Sequence, residues 1–362
     1  MKKIFVICNM YPSAKHPSYG IFVKNQVEAL KKAGVEVDIG VNTNPATGIK
    51  NALKKYVIWA IRVLKTGSIQ KGRISVTHAH YVFPSGMFSL LLKKMFGIPY
   101  VVTAHGGDIE KMAKKNERIR KWTETILKES SHVIAVGPVL AKQMEEDFHI
   151  SKSKITIMSM GVNREVFKRG DITEARTILG LPQEEFIFTF VGNVIKQKGI
   201  EELLLAFRQV KELTNRQVKL VIIGSRRDLS FIEKITPLLN EDVLLIAPVK
   251  QSELVTWFQA SDVFVLPSHI EGFGLVALEA IATGTSVIAS NVGGLVSLLE
   301  NGAGHLVESQ NAEDLAKEML LALSTSNSNY FNEESAEEVL HIHDEKNITQ
   351  KLLSIYEDAI KP

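Results

Sequence analysis

One cysteine, Cys8, serves a chain of 362 residues, so no disulfide framework can form and a reducing, cytoplasmic compartment is expected. No apolar run reaches the roughly 18 uninterrupted residues of a membrane span. The opening "MKKIFVICNMYP" has the lysines and apolar residues of a secretory leader, but Asn9 interrupts the run and no small-residue cleavage site follows. It reads as a first strand with Cys8 in the core. No nucleic-acid-binding motif accompanies the basic residues, and nucleic acid is not an expected partner. No Asp-x-Asp pair stands at the end of a strand pattern, and no internal repeat is detectable. What remains is a chain 45% hydrophobic and 23% charged, an ordinary globular composition with length for two or three domains.

The net charge of +3 conceals an asymmetry. Residues 1–160 carry 25 Lys and Arg against 11 Asp and Glu, a net of +14, whereas the remainder carries 18 against 29, a net of −11. The excess lies in "KNALKKYVIWAIRVLKTGSIQKGR" (50–73), "LLKKMFG" and "KKNERIRKWTETILK" (114–128), where lysines alternate with aliphatic and aromatic residues. Such stretches suit an anionic membrane surface, each Lys or Arg near it contributing about 1 kcal/mol, or they are solvated outer helix faces.

Short β-rich runs alternate with helical patterns throughout, the signature of parallel sheets with crossover helices. The first half offers strands in "KIFVICN", "VEVDIGV", "ISVTHAHY", "PYVVTAH", "SHVIAVG" and "KITIMSM", with helices at about 21–33, 50–66, 84–96, 110–129 and 138–148. "SMGVNREVFKRGD" (159–171) lacks periodicity and reads as a linker. The alternation restarts with "FIFTFVG", "KLVIIGS", "DVLLIAP", "DVFVLPS", "SVIAS" and "GHLVE". Two doubly wound, Rossmann-like α/β domains are expected, residues 1–160 and 161–345. A terminal helix at 346–362 packs on whichever domain it reaches, the first included. Ligands of such sheets bind beyond the carboxyl ends of the strands, and two such edges face to face make an interdomain cleft for two substrates.

"PSHIEGFGLVALEAIATGT" (267–285) sets Glu271 and Glu279 eight residues apart. On one continuous helix they would be separated by about 12 Å of rise and roughly 80° of rotation. Carboxylates paired across a sugar stand roughly 5 to 9.5 Å apart, so a shared acid/base role is disfavoured. Gly272 and Gly274 suit a turn that leaves Glu271 in a loop and Glu279 in the following helix. A glycine turn feeding a helix N-terminus exposes N–H groups to phosphate, and carboxylates accept from sugar hydroxyls. The bland alternative is a solvated loop glutamate and an ordinary helix glutamate. His78 and His80 of "THAHY" are read as facing opposite sides of their strand, which keeps them from forming a simple metal site together.

"PSHIEGFGLVALEAIATGTSVIASNVGG" resembles the signature of the retaining glycosyltransferases of family 4, which have the GT-B fold and an E-x7-E motif. Further matches span most of the chain: "TAHGGD" (103–108), "MGVNREVF" (160–167), "VGNVIKQKGIEELLLAF" (191–207), "LVIIG" (220–224) and "ELVTWFQASDVFVLPS" (253–268). The resemblance implies a donor site of Gly192, Asn193, Lys198, Ser268, Glu271, Gly272, Phe273, Gly274, Leu275 and Glu279. In it Glu271 holds the donor sugar, Glu279 the ribose and Lys198 the departing diphosphate. Where similar enzymes often carry an arginine this chain has Asn193, so Lys196 or the Arg226–Arg227 pair is left to supply a second positive charge. His105 is implied at the donor sugar, as a catalytic residue with Glu271 and Lys198. Asp108 either orients the acceptor or caps the next helix. Tyr19, Gly20 and His80 complete the acceptor side, Gly20 also approaching the diphosphate, with Tyr19 where the family often has a second glycine.

By that resemblance the expected reaction is metal-independent, cofactor-free sugar transfer with retention, from a nucleotide-diphosphate sugar to an acceptor hydroxyl; the basic amphipathic stretches of the first half suggest a glycan or lipid-linked acceptor at the inner membrane face. UDP-sugars are favoured as donors, with GDP-mannose the other candidate. A nucleotide-sugar epimerase or hydrolase, and a non-catalytic sugar-nucleotide-binding protein, remain as alternatives.

Overall fold

Parallel strands covered on both faces require near-continuous apolar runs, and the strand patterns above become such strands. The computed structural model describes residues 3–44, 49–325 and 330–361, without the side chains of 49–54. It comprises two compact units, residues 1–160 with 345–362, and residues 161–344.

The first unit runs β1 (Ile4–Cys8), α1 (Ile21–Lys32), β2 (Val37–Val41), α2 (Ile49–Ile69), β3 (Val76–His80), α3 (Ser85–Phe96), β4 (Tyr100–Ala104), α4 (Glu117–Glu129), β5 (His132–Ala135), α5 (Pro138–Phe148) and β6 (Ile155–Ile157). The strands form one parallel sheet in the order β2-β1-β3-β4-β5-β6. Alternate residues of β1 serve opposite layers, as the two-residue pleat dictates. Val6 and Cys8 pack with Val23, Val27 and Leu30 of α1 and with Ile348, Leu352 and Tyr356 of the last helix. Phe5 and Ile7 pack with Trp59 and Val63 of α2 and Phe88 and Leu92 of α3.

The second unit runs α6 (Ile172–Leu179), β7 (Phe186–Val191), α7 (Ile200–Leu213), β8 (Val218–Ile223), α8 (Leu229–Ile235), β9 (Val243–Ile246), α9 (Gln251–Gln259), β10 (Val263–Leu266), α10 (Leu275–Ala282), β11 (Ser286–Ser290), α11 (Gly294–Leu299), β12 (His305–Val307), α12 (Ala312–Ser324) and α13 (Glu333–Ile342). Its parallel sheet has the order β12-β11-β10-β7-β8-β9. The last helix, α14 (Glu345–Ile360), belongs to the first unit.

Two expectations change. The helix expected over 110–129 breaks at Asn116, whose side chain accepts from the Ile119 amide at 2.9 Å and so starts α4 afresh. A separate single turn, Asp108–Met112, precedes it. The expected linker also ends in a cap: Asp171 accepts from the Glu174 amide at 2.8 Å and opens α6, a helix the strand alternation did not announce.

Candidate active site

Each sheet has one point where the chain, having built outward in one direction, returns to build in the other, and there the loops diverge to leave a ligand site. In the second unit it lies between neighbouring strands β7 and β10. After β7 come Gly192, Asn193 and a short helical turn, Lys196–Lys198; after β10 comes the loop with Ser268, Glu271, Gly272 and Phe273.

Three contacts bind these loops together, and a fourth lies within the second loop. Lys198 Nζ donates to Glu271 Oε2 at 2.6 Å, with the two side chains 26% and 17% exposed. Ser268 Oγ donates to the same oxygen at 3.3 Å. The His269 amide donates to the Gln197 carbonyl at 2.9 Å. Gly199, at φ +68°, passes so close to Pro267 that a Cβ would stand 1.9 Å from its carbonyl oxygen. The His269 ring also reaches Glu202 of α7, at 3.1 Å. On the far side a Cβ on Gly293 would lie 1.9 Å from the Glu271 carbonyl, which accepts from the Gly294 amide at 3.2 Å. The position of Glu271 is thus fixed from both neighbouring loops before any ligand arrives.

Gly274, at φ +91°, caps the N-terminus of α10. The amides of Phe273, Gly274, Leu275 and Val276 have no acceptor among the described residues, so they and the helix dipole are available to an anion. Phe273 itself is buried, its ring edge-on to His343 at 4.9 Å. Glu279 lies one turn on, where the Gln251 side-chain amide donates to Oε1 at 2.7 Å. Burial pushes the Glu279 carboxyl up to about 7, the Gln251 hydrogen bond opposing the rise. Glu271 and Glu279 therefore have separate partners, Lys198 and Gln251. Gly192 packs under the end of β8, where Gly224 is followed by exposed Arg226 and Arg227, neither with a side-chain partner among the described residues.

In the first unit the corresponding point lies between β1 and β3. Gly20, at φ +70°, crosses the Met10 carbonyl too closely to admit a Cβ, and the hydroxyl of Tyr19 reaches the Asn9 carbonyl at 3.4 Å. His80 ends β3, and His105 follows β4. His80 Nδ1 and His105 Nε2 are 3.2 Å apart. The His105 ring also lies 4.6 Å from Tyr81 and 5.0 Å from Phe22, and burial depresses its pKa to about 3. His105 is consequently neutral at physiological pH.

Two first-unit readings need correction. His78 and His80, two residues apart, share a face of β3, with ring centroids 4.3 Å apart; the facing argument against a joint metal site fails. Both His78 nitrogens are instead engaged, Nδ1 with the Tyr356 hydroxyl at 2.5 Å and Nε2 with Thr103 Oγ1 at 2.8 Å. His80 is fully buried, and its Nδ1 meets His105. Asp108, 3% exposed, does not cap a following α-helix. Its carboxylate accepts from the amides of Val82 at 2.7 Å and His105 at 3.0 Å, fixing the His105 backbone. Burial raises its pKa to about 6 against those hydrogen bonds. The roles of Gln251, Glu202 and Gly199 were not read from the sequence; only the paired glycines of "NVGG" signalled the close approach at Gly293.

A model of the glycosyl transferases group 1 matches residues 171–338, and one of glycosyltransferase family 4 matches residues 20–166. The chain belongs to this family of glycosyltransferases. It is 32% identical over 274 residues to a D-inositol 3-phosphate glycosyltransferase of Streptosporangium roseum, covering 70% of this chain but 63%, under two thirds, of that relative. It is 27% identical over 353 residues, 87% of each chain, to TuaC of Bacillus subtilis, whose name assigns it to teichuronic acid biosynthesis. The structure of Anabaena HepE in complex with UDP-glucose superposes with a TM-score of 0.78 at 17% identity, covering 99% of both chains, which shows the GT-B fold of two Rossmann-like units.

For this glycosyltransferase the raised Glu279 pKa has a stability consequence of definite sign. Between its ordinary value of 4.5 and about 7 the folded carboxyl holds a proton that the unfolded one has released, so its contribution to stability falls as pH rises through that window. Glu279→Gln should therefore gain stability relative to wild type from pH 5 to pH 8, read by urea denaturation at each pH. A constant difference would contradict the assignment.

Proposed function

We propose that this glycosyltransferase moves a sugar from a nucleoside-diphosphate sugar, with retention, to a hydroxyl of a lipid-linked or growing cell-envelope glycan. The observation that carries the reading is the Lys198–Glu271 pair beside the unpartnered amides that open α10. A diphosphate is drawn to those amides and to a flexible ammonium. When Lys198 turns to the phosphate, Glu271 loses its charged partner and accepts from sugar hydroxyls instead. Glu279, one turn along, accepts from the ribose. UDP is the favoured nucleotide, as HepE is named with UDP-glucose, and GDP-mannose is the other candidate.

In the proposed step the bond from the anomeric carbon to the diphosphate oxygen breaks, its electron pair leaving with the diphosphate. The acceptor oxygen attacks the same face, and its proton passes to the departing phosphate oxygen. Lys198, the α10 amides and either Lys196 or Arg226 stabilise the leaving charge, the electrostatic contribution that usually dominates such catalysis. No metal or cofactor is invoked. His105, neutral, hydrogen-bonds the sugar, while Gly20 and Tyr19 border the acceptor.

A membrane-linked acceptor is supported by α2. Trp59 and Val63 face the core, whereas Val57 (49% exposed), Ile58 (41%), Ile61 (61%) and Ile69 (72%) face outward with exposed Arg62 and Lys65. Aliphatics interleaved with cations on one helix face fit the headgroup boundary of an anionic bilayer. Lys50 and Lys54 lie outside the described side chains, and no described helix is long and apolar enough to cross a membrane. The name of TuaC points to a cell-envelope acceptor in the same direction.

Glu271→Ala should lower transfer by about 10²- to 10³-fold, the loss of one oriented group in the transition state, while UDP affinity changes by under about tenfold. Equal losses in both would refute the sugar contact, and fast donor turnover without acceptor would favour a hydrolase. Wild type should sediment with phosphatidylglycerol vesicles. Replacing Arg62 and Lys65 by Gln and Ile61 by Ser should release it without altering UDP binding. Failure of the wild type to sediment would exclude the membrane reading.

A further inference from the structure

His105 is held on almost every side. Asp108 fixes its backbone, Tyr81 and Phe22 flank its ring, and His80 Nδ1 meets its Nε2 at 3.2 Å. The Nδ1 atom has no partner among the described residues, and the residue keeps partial exposure. What the packing leaves open is which nitrogen carries the proton. His80 decides this.

Both imidazoles are neutral, since burial lowers the pKa of each, that of His80 well below its ordinary value. Two neutral rings sharing one N···N contact must supply one donor and one acceptor. If His105 Nε2–H donated, His80 would accept at Nδ1 and carry its own proton on Nε2. That atom is buried with no hydrogen-bond partner among the described residues, so an N–H there would be orphaned, a state folded proteins seldom tolerate. With the proton on His80 Nδ1 instead, the buried Nε2 is a bare lone pair and His80 donates to His105 Nε2. His105 must then be protonated on Nδ1.

We infer that His80 is a positioning residue that locks His105 in its Nδ1–H tautomer, so that His105 presents a hydrogen-bond donor to an oxygen of the donor sugar. The sugar-facing part rests on the function proposed above; the tautomer does not. The preference exists before any ligand binds, which is preorganisation of a hydrogen bond rather than a response to substrate. A histidine free to exchange tautomers would offer that oxygen a lone pair as often as a donor, so the direction of the hydrogen bond would not be set in advance.

The test is long-range proton–nitrogen correlation on the ¹⁵N-histidine-labelled full chain without ligand, His105 being assigned through His105→Asn. The expected spectrum has protonated Nδ1 and bare Nε2 on His105. It is retained in His80→Asn, whose amide nitrogen takes the place of Nδ1 and donates likewise, and lost to a mixture in His80→Phe. A wild-type His105 protonated on Nε2, or an unchanged tautomer in His80→Phe, overturns the inference; the wild-type spectrum alone decides the tautomer if His80→Phe does not fold. Calorimetry with UDP-glucose and UDP supplies the second reading. The affinity advantage of UDP-glucose should fall about three- to tenfold in His80→Phe, the loss of one neutral hydrogen bond, and return in His80→Asn. An unchanged advantage overturns the sugar-facing role. Absence of binding by either ligand to wild type counts against the donor reading, while the spectrum still judges the tautomer.

Discussion

The contact between Lys198 and Glu271 rests on the adjacency of β7 and β10 at the point where the second sheet reverses its direction of growth. Strand neighbours bring their following loops together, and beside this pair the backbones come closer than side chains allow. Gly199 against Pro267 and Gly293 against Glu271 provide that approach. Each side chain satisfies the other in the free protein, so neither is left as a half-buried, uncompensated charge. A ligand bearing an anion for one and hydroxyls for the other can take over both, and in the proposed reading the diphosphate sugar is such a ligand.

The first unit orders its cluster with uncharged histidines and one buried carboxylate. α14 brings Tyr356 beneath β3, where its hydroxyl meets His78, and Thr103 takes the other nitrogen of that ring. The neighbouring side chain on the same face, His80, is turned to His105, and Asp108 ties the turn after β4 to Val82 and to the His105 amide. Burial keeps these histidines uncharged, so the cluster supplies direction rather than charge. In the proposed reading the positive charge for the diphosphate stands in the second unit, on Lys198 with either Lys196 or Arg226.

Much of this was legible in the amino-acid order. Strands such as "FIFTFV" and "YVVTA" announce themselves because burial on both faces leaves almost no polar residue in them, and the glycine turn of "EGFGL" fixes where α10 begins. Glu271 and Glu279 were separable by spacing alone, and their different partners, Lys198 and Gln251, agree with two separate environments. Gln251 was invisible because it opens α9, 28 residues earlier, and only the sheet order folds it onto α10. The misjudged facing of His78 and His80 contradicts the two-residue pleat itself. Asp108 was misread because residues like it usually cap forward, whereas here the backbone amides of Val82 and His105 lie behind it. The break at Asn116 was hidden inside a continuous run of good helix formers.

The central claim is that Lys198 leaves Glu271 for the diphosphate. The most direct measurement is a double-mutant cycle on UDP affinity, by calorimetry, with Glu271→Gln and Lys198→Met singly and together. The account predicts that Glu271→Gln alone binds UDP more tightly than wild type, because the competing partner of Lys198 is gone, and that this gain disappears in the Lys198→Met background. UDP binding that weakens in Glu271→Gln, or a gain that persists without Lys198, would contradict it.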